Sequence, residues 1–244
     1  MKKEVISKYY SQCGQDKFLN EKIFKGKKNG IFVDIGANDG INFSNTYFFE
    51  KELSWKGICI EPLKGAFEKL EENRNSININ ACASNEDKQD CFLSISGYGE
   101  MLSGLKSKYD PQHLQRIFDT SQKHGCVVEE IQVQCYDINK ILKKYSFEKI
   151  DLLSIDTEGN ELEILANINY DTTHIKVIAV ENNYHSTGFN QFLFLKGFLK
   201  VRTLDHDEVY LNLKDFKSFK KWVLQLDILI LRIKSFITQK MTRF

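Results

Sequence analysis

Three carboxylates in this chain, Asp34, Glu61 and Asp156, each stand at the end of a short apolar run. In a doubly wound α/β sheet, ligands bind beyond the carboxyl ends of the strands, where the strand order reverses. An acid at such a place either meets a ligand or caps the next helix. The first acid opens the loop Asp34-Ile35-Gly36-Ala37-Asn38-Asp39-Gly40. Glycine at 36 suits a tight turn, and glycine at 40 would let the backbone approach a ligand with no Cβ in the way. The loop has neither the G-x-G-x-x-G of a dinucleotide site nor the Lys-Ser/Thr pair of a P-loop, which argues against an NAD-dependent oxidoreductase. A glycine turn with acids suits a cofactor that has no phosphate and carries a positive sulfonium and an amino group, as S-adenosylmethionine does. Glu61 follows about twenty residues later, before Pro62, where an acidic side chain can accept both hydroxyls of an adenosine ribose. A solvated carboxylate before a turn proline is the plainer alternative.

The acids can converge only if their runs are neighbouring strands. Ile31–Ile35, Gly57–Glu61, Ile77–Cys82, Ile150–Asp156 and Val177–Glu181 are short and apolar, and helical stretches over 44–53, 66–73, 138–145 and 160–166 fall between them. This alternation predicts an α/β fold, a doubly wound, Rossmann-like, mostly parallel sheet with helices on both faces. Runs at 198–203 and 208–213 predict a terminal hairpin with one antiparallel strand. Between Asn85 and Gln134 the pattern loosens around Gly97, Gly99 and Gly104, a polar helical segment follows Pro111, and Val127–Cys135 alternates like a strand. This segment reads as an insertion on the substrate side. Residues 1–213 are expected to form one domain and 214–244 a basic amphipathic helix.

Bulk composition agrees with an ordinary globular chain of 244 residues, 27% charged and 42% hydrophobic. The net charge of +1 gives no global electrostatic reason to expect nucleic acid as a partner. Six cysteines lack C-x-x-C spacing and read as buried free thiols. The first residues lack the apolar run of a signal peptide, which points to the cytoplasm.

Four segments occur in order: Ser11-Gln12-Cys13-Gly14-Gln15-Asp16, Phe32 to Gly40 with Ser44-Asn45-Thr46, Trp55-Lys56-Gly57 with Ile60-Glu61-Pro62, and Ile150 to Gly159. Together they resemble the FkbM family of methyltransferases. The resemblance implies O-methylation of a hydroxyl on a sugar, nucleotide-sugar or glycan, with S-adenosylmethionine as donor. The expected cofactor contacts are Gln12, Asp34, Gly36, Ala37, Asn38, Asp39, Gly40, Asn45, Thr46, Glu61, Pro62, Ala83, Ser84, Asp156 and Glu158. Ser11 or Asp16 could instead simply cap the helix from Lys17.

Methyl transfer is an in-line displacement, so the protein must align the acceptor oxygen and help remove its proton. Asp156, Glu181 and His185 are the catalytic candidates, histidine being the side chain whose ordinary titration lies nearest neutrality. Some sugar O-methyltransferases resembling this fold hold a divalent cation on acids after the fourth and fifth strands. Asp156, Glu181 and Asn182 match that placement, and oxygen ligands suit Mg²⁺ or Mn²⁺. Asp156 as a helix cap is the plainer reading.

Residues 214–244 hold eight basic and two acidic side chains, with Phe219, Trp222, Leu226, Leu229, Ile230, Ile233 and Ile237 at helical spacing. Asp227 and Arg232 break the run, which is too short to span a bilayer. Such a helix could dock on its own domain, form a homodimer, or lie peripherally on the inner face of a membrane. A non-catalytic cofactor-binding or assembly subunit is the rival class.

Overall fold

Side chains that alternate along a strand serve two cores when both faces of a sheet are covered. In the computed structural model, which describes residues 8–216, this is how the central strands are used. Val33 and Ile35 of β1 (Ile31–Ile35), Ile58 and Ile60 of β2 (Lys56–Ile60), and Leu153 and Ile155 of β8 (Lys149–Ile155) enter one core. Phe32, Cys59 and Leu152 enter the other. The first core is completed by α5 (Ile138–Lys144), α6 (Glu161–Asn167) and α7 (Thr187–Leu195). The second is completed by α2 (Tyr47–Leu53), α3 (Lys64–Asn73) and the short α1 (Gln15–Phe18), which continues as a π-helical turn over Leu19–Phe24. Trp55 anchors this side, packing on Phe24 and Phe49 and donating its indole N–H to the Lys27 carbonyl at 2.7 Å.

With β3 (Ile77–Ile79), β9 (His174–Glu181), β10 (Phe198–Leu204) and β11 (Asp207–Asn212), the main sheet has seven strands in the order β10-β11-β9-β8-β1-β2-β3. All pairs are parallel except those of β11, which runs antiparallel to both β9 and β10. The order reverses between β1 and β8, so the ends of those two strands and of β2 frame the ligand position of a doubly wound sheet.

The expected single strand over Ile77–Cys82 is split. β3 stops at Ile79, Asn80 turns its amide to the carbonyls of Glu61 and Pro62 at 2.8 and 3.0 Å, and β4 (Cys82–Ser84) joins a second sheet. That sheet has four strands, in the order β4-β7-β5-β6, with β5 (Lys88–Ile95), β6 (Gly104–Leu105) and β7 (Val128–Asp137). β5, absent from the sequence reading, pairs antiparallel with β7 from Lys88↔Cys135 to Ile95↔Val128. Between β6 and β7, α4 (Pro111–His124) starts where proline predicts, with Asp110 accepting the His113 backbone N–H at 2.8 Å, and ends at Gly125 with φ +67°. Most of the amphipathic stretch expected at 214–244 lies outside the described residues. No helix among the described residues is long and apolar enough to cross a membrane.

Candidate active site

The turn after β1 depends on a missing side chain. Gly36 has φ +85°, and a Cβ there would fall 1.6 Å from the Asp156 carbonyl oxygen. Without it the ends of three strands are stitched together: the Gly36 and Ala37 N–H groups donate to Ile60 O at 2.9 and 3.1 Å, and the Asp156 N–H donates to Ile35 O at 2.9 Å. Asn38, at φ 47°, donates its backbone N–H to Glu61 Oε2 at 2.9 Å, and Leu63 donates to Oε1 at 2.8 Å. Glu61 is only 6% exposed, and burial pushes its carboxyl up to about 7.

These strand ends open on a cleft lined by both apolar and acidic side chains, the kind of concave site in which small molecules bind. Gly36, Asn38, Glu61, Pro62, Ala83, Asp156 and Glu158, all expected from the sequence, border it. Its apolar lining includes Leu63, Ala66, Cys82, Phe92 and Leu105. Glu100, Met101 and Ser103 close over it, and the Asn38 side-chain amide lies 3.2 Å from Met101 Sδ.

Other expected contacts do not border the cleft, and their partners explain why. Asp34 accepts the Thr46 hydroxyl at 2.5 Å, and Thr46 in turn accepts from Arg74 Nη2 at 3.0 Å. Arg74 pairs with Glu50 at 2.6 Å and donates to Gly40 O at 2.9 Å. Asp34 and Thr46 thus belong to a buried network beneath the loop, in which burial raises the Asp34 pKa while Arg74 and Thr46 oppose the rise. Asn45 donates to Ser154 Oγ at 3.2 Å. Asp39 accepts from the backbone of Ile41 and Asn42 and so holds the turn. Gly40 has φ +81°, and a Cβ there would fall 2.6 Å from Leu70 Cδ1 and 2.7 Å from Arg74 Cγ, so the turn itself calls for glycine. Ala37 packs in the core on the α2 and α3 side. Ser84 is buried in β4, and Gln12 is exposed. The neighbouring Gln15 instead is buried and donates to Asp207.

Asp156 and Glu158, which border the cleft, converge with Glu181, one oxygen of each lying within 4.8 Å of the others. Glu158 reaches the group because the chain after β8 turns through φ 57° at Glu158 and φ 127° at Gly159. Glu161 holds this turn, accepting from the Thr157 N–H and hydroxyl, both at 2.9 Å. Burial first, and the negative charge of neighbouring acids second, pushes all three carboxyls up. Asn182, expected as a third ligand, is spent on its own turn: its amide exchanges hydrogen bonds with Ser186 at 2.8 and 3.0 Å. His185 is exposed, with its ring 5.6 Å from that of His206, and is not joined to the acids.

Three neighbours were missed from sequence. His113, 2% exposed, places Nδ1 3.6 Å from Glu158 and 3.1 Å from the Tyr184 hydroxyl. Arg116 lies 4.0 Å from Glu158. Asp207 begins the antiparallel strand opposite Glu181, so reversal of β11 brings its first residue to the carboxyl ends of the parallel strands. The predicted hairpin held that last signal. His113 and Arg116 gave none, because a helix in an insertion can dock anywhere.

The family model of the methyltransferase FkbM domain matches residues 34–217, from the first acid of the loop to beyond β11. The chain belongs to the FkbM methyltransferase family. One relative, methyltransferase sdnD of Sordaria araneosa, is 26% identical over 172 residues, covering 62% of this chain and 64% of that protein. The crystal structure of methyltransferase FkbM from Methylobacillus flagellatus shares the fold with a TM-score of 0.50 at 13% identity. That match covers 83% of this chain and 48% of the other. The chain therefore spans less than two thirds of either relative. A weaker likeness, TM-score 0.38 at 10% identity, is to the N-terminal domain of human METTL16 in complex with SAH, over 81% of this chain and 65% of that one.

Proposed function

We propose that this family member is an S-adenosylmethionine-dependent O-methyltransferase whose acceptor is a hydroxyl of a sugar, nucleotide-sugar or glycan. The observation that carries the reading is the lining of the cleft: the buried Glu61 together with the apolar Leu63, Ala66 and Phe92, and Asp156 and Glu158, two of three convergent carboxylates. The donor set suits the cofactor. Glu61 keeps lone pairs for two ribose hydroxyls after accepting two backbone N–H groups, Leu63 and Phe92 offer an apolar slot for a base, and the acids suit positive charge. When bound, the cofactor supplies an electrophilic methyl on a sulfonium.

The chain's own task is then to hold the acceptor oxygen in line and receive its proton. Carboxylates raised towards neutrality by burial are suited to this, because general-base efficiency is greatest when the pKa lies near the working pH. Asp156, which borders the cleft and is pushed up to about 7, is the base favoured over the exposed His185, while burial pushes the neighbouring Glu158 further, to about 9. The 4.8 Å clustering of three acids supports a second reading, in which Asp156, Glu158 and Glu181 hold Mg²⁺ or Mn²⁺ that lowers the acceptor pKa.

Calorimetry with S-adenosylhomocysteine and NAD side by side tests the cofactor. Binding of NAD alone overturns the proposal. A panel of nucleotide sugars with labelled methyl donor, in EDTA and with added Mg²⁺ or Mn²⁺, tests acceptor and metal together. Full turnover in EDTA excludes the cation. Cofactor binding with no transfer to any hydroxyl in the panel favours the non-catalytic subunit.

A further inference from the structure

The six cysteines are not six isolated thiols. Four stand singly: Cys59 beside the Ser76 hydroxyl at 3.3 Å, Cys13 beside Asp205, Cys91 beside Glu130, and Cys126 half-buried near Ile95, Leu102 and Ile117. Cys82 and Cys135 are different. They are register partners in the parallel pair β4–β7. Parallel partners point to the same face, and adjacent strands lie about 4.8 Å apart, inside the span of roughly 4.4–6.8 Å between Cα atoms that a disulfide accepts. Both thiols are buried in one small core with Phe92, Leu105 and Val133.

Position gives the pair a meaning. Cys82 borders the cleft between Ala81 and Ala83, while Cys135 lies directly behind it with no exposed surface. A small oxidant can therefore reach the pair through the open cleft, and a ligand in the cleft would cover it. We propose that Cys82 and Cys135 form a modification site, a reversible intramolecular disulfide made by peroxide when the cleft is empty and blocked when cofactor fills it.

The chemistry balances with peroxide as the oxidant. One thiolate takes a peroxide oxygen to become a sulfenic acid, with the other oxygen leaving as water. The second sulfur then displaces the hydroxyl group, which leaves as a second water with the remaining thiol proton. Two thiols and one peroxide thus give one disulfide and two waters, and an added dithiol reverses the change. The two thiols shift in opposite directions, Cys82 upward and Cys135 downward, each chiefly through the other, as neighbouring thiols that share one proton would. The charges around the pair are Asp90, Glu61, Lys88 and Lys108. Because β4 and β7 already lie at a spacing that a disulfide accepts, the bond closes without moving the Ala81–Ala83 wall, whose Ala83 carbonyl is held by the Asn160 amide at 3.1 Å.

The link to cofactor rests on the proposed function, whereas the disulfide itself does not, and the experiment separates them. The reduced full chain is treated with hydrogen peroxide, quenched with an alkylating agent and mapped by peptide mass spectrometry, with and without saturating S-adenosylhomocysteine. The expected result is a Cys82–Cys135 cross-linked peptide that disappears on reduction and forms at least tenfold more slowly with the ligand. Cys82→Ala and Cys135→Ala should each abolish the cross-link, but the wild-type map decides the matter even if neither variant folds. Absence of the peptide, or oxidation of both residues only to sulfinic acid, overturns the site. An equal rate with and without S-adenosylhomocysteine, once calorimetry on reduced protein shows that it binds, overturns the cofactor link. No binding in that calorimetry instead overturns the functional reading and the link with it, leaving the disulfide to be judged from the ligand-free map.

Discussion

If Glu61 receives the ribose, cofactor affinity must depend on pH, and the structure fixes the direction. The carboxyl is 6% exposed, and burial pushes it from the ordinary 4.5 up to about 7. At about 1.36 kcal/mol per pKa unit, ionising it inside the free protein costs on the order of 3 kcal/mol more than in water. Two hydroxyls donating to it favour the charged form, so the ligand lowers this pKa and binding releases a proton where the free protein is still protonated. Affinity for S-adenosylhomocysteine should therefore fall by up to about tenfold per pH unit below about 7 and level off above it. Glu61→Gln keeps the shape but removes the charge. It should weaken binding by about 1.5–3 kcal/mol, the scale of a hydrogen bond to a charged group, and flatten the pH response. Titration calorimetry across about pH 5.5–8.5, in buffers of different ionisation enthalpy, reads both the affinity and the released proton. Flat wild-type affinity, or an undiminished slope in Glu61→Gln, would refute the reasoning and pass the proton to another acid such as Asp156.

Gly36→Ala should unfold or severely destabilise the domain in thermal melts, since its Cβ would collide with backbone at 1.6 Å. Gly40→Ala, which meets side chains, should be milder, at about 1–3 kcal/mol. Arg74→Ala should cost about 3–5 kcal/mol, because it leaves Glu50 and Asp34 without their buried counter-charge. A melt unchanged by Arg74→Ala would show that the network is solvated. Raised carboxyls at Asp156, Glu158 and Glu181 mean that the folded state holds protons the unfolded chain has lost, so their contribution to stability is greatest below the unfolded pKa and declines as pH rises through the folded values. Tm should thus be higher near pH 5.5 than near pH 8.5, Glu181→Gln should reduce that difference, and a cation that binds the cluster should raise Tm most at the higher pH. His185→Ala should leave the rate nearly unchanged, and a loss of about 10²–10⁴-fold would return it to the role of general base.

Much of the scaffold was legible in the sequence because its signals are local. Short continuous apolar runs located the central strands, and the glycine turn and the acids at 34, 61 and 156 marked their carboxyl ends. Local patterning also carried the family resemblance, which the domain match over 34–217 bears out. It did not say which way a side chain beyond a strand would turn. Glu158 enters the acid cluster and Asn182 leaves it because of backbone φ at Glu158 and a hydrogen-bonded turn at Ser186. Asp34, Thr46 and Gly40 serve the buried Arg74 that follows α3, a contact between residues some thirty positions apart. The division of the Ile77–Cys82 run between two sheets is likewise decided by pairing partners far along the chain, and so is the meeting of Cys82 with Cys135. Sequence alone determined the strands and the acids at their ends, since periodicity and glycine act within a few residues. Only the tertiary structure decided which side chains face the cleft, because that choice is made by packing and pairing across long separations.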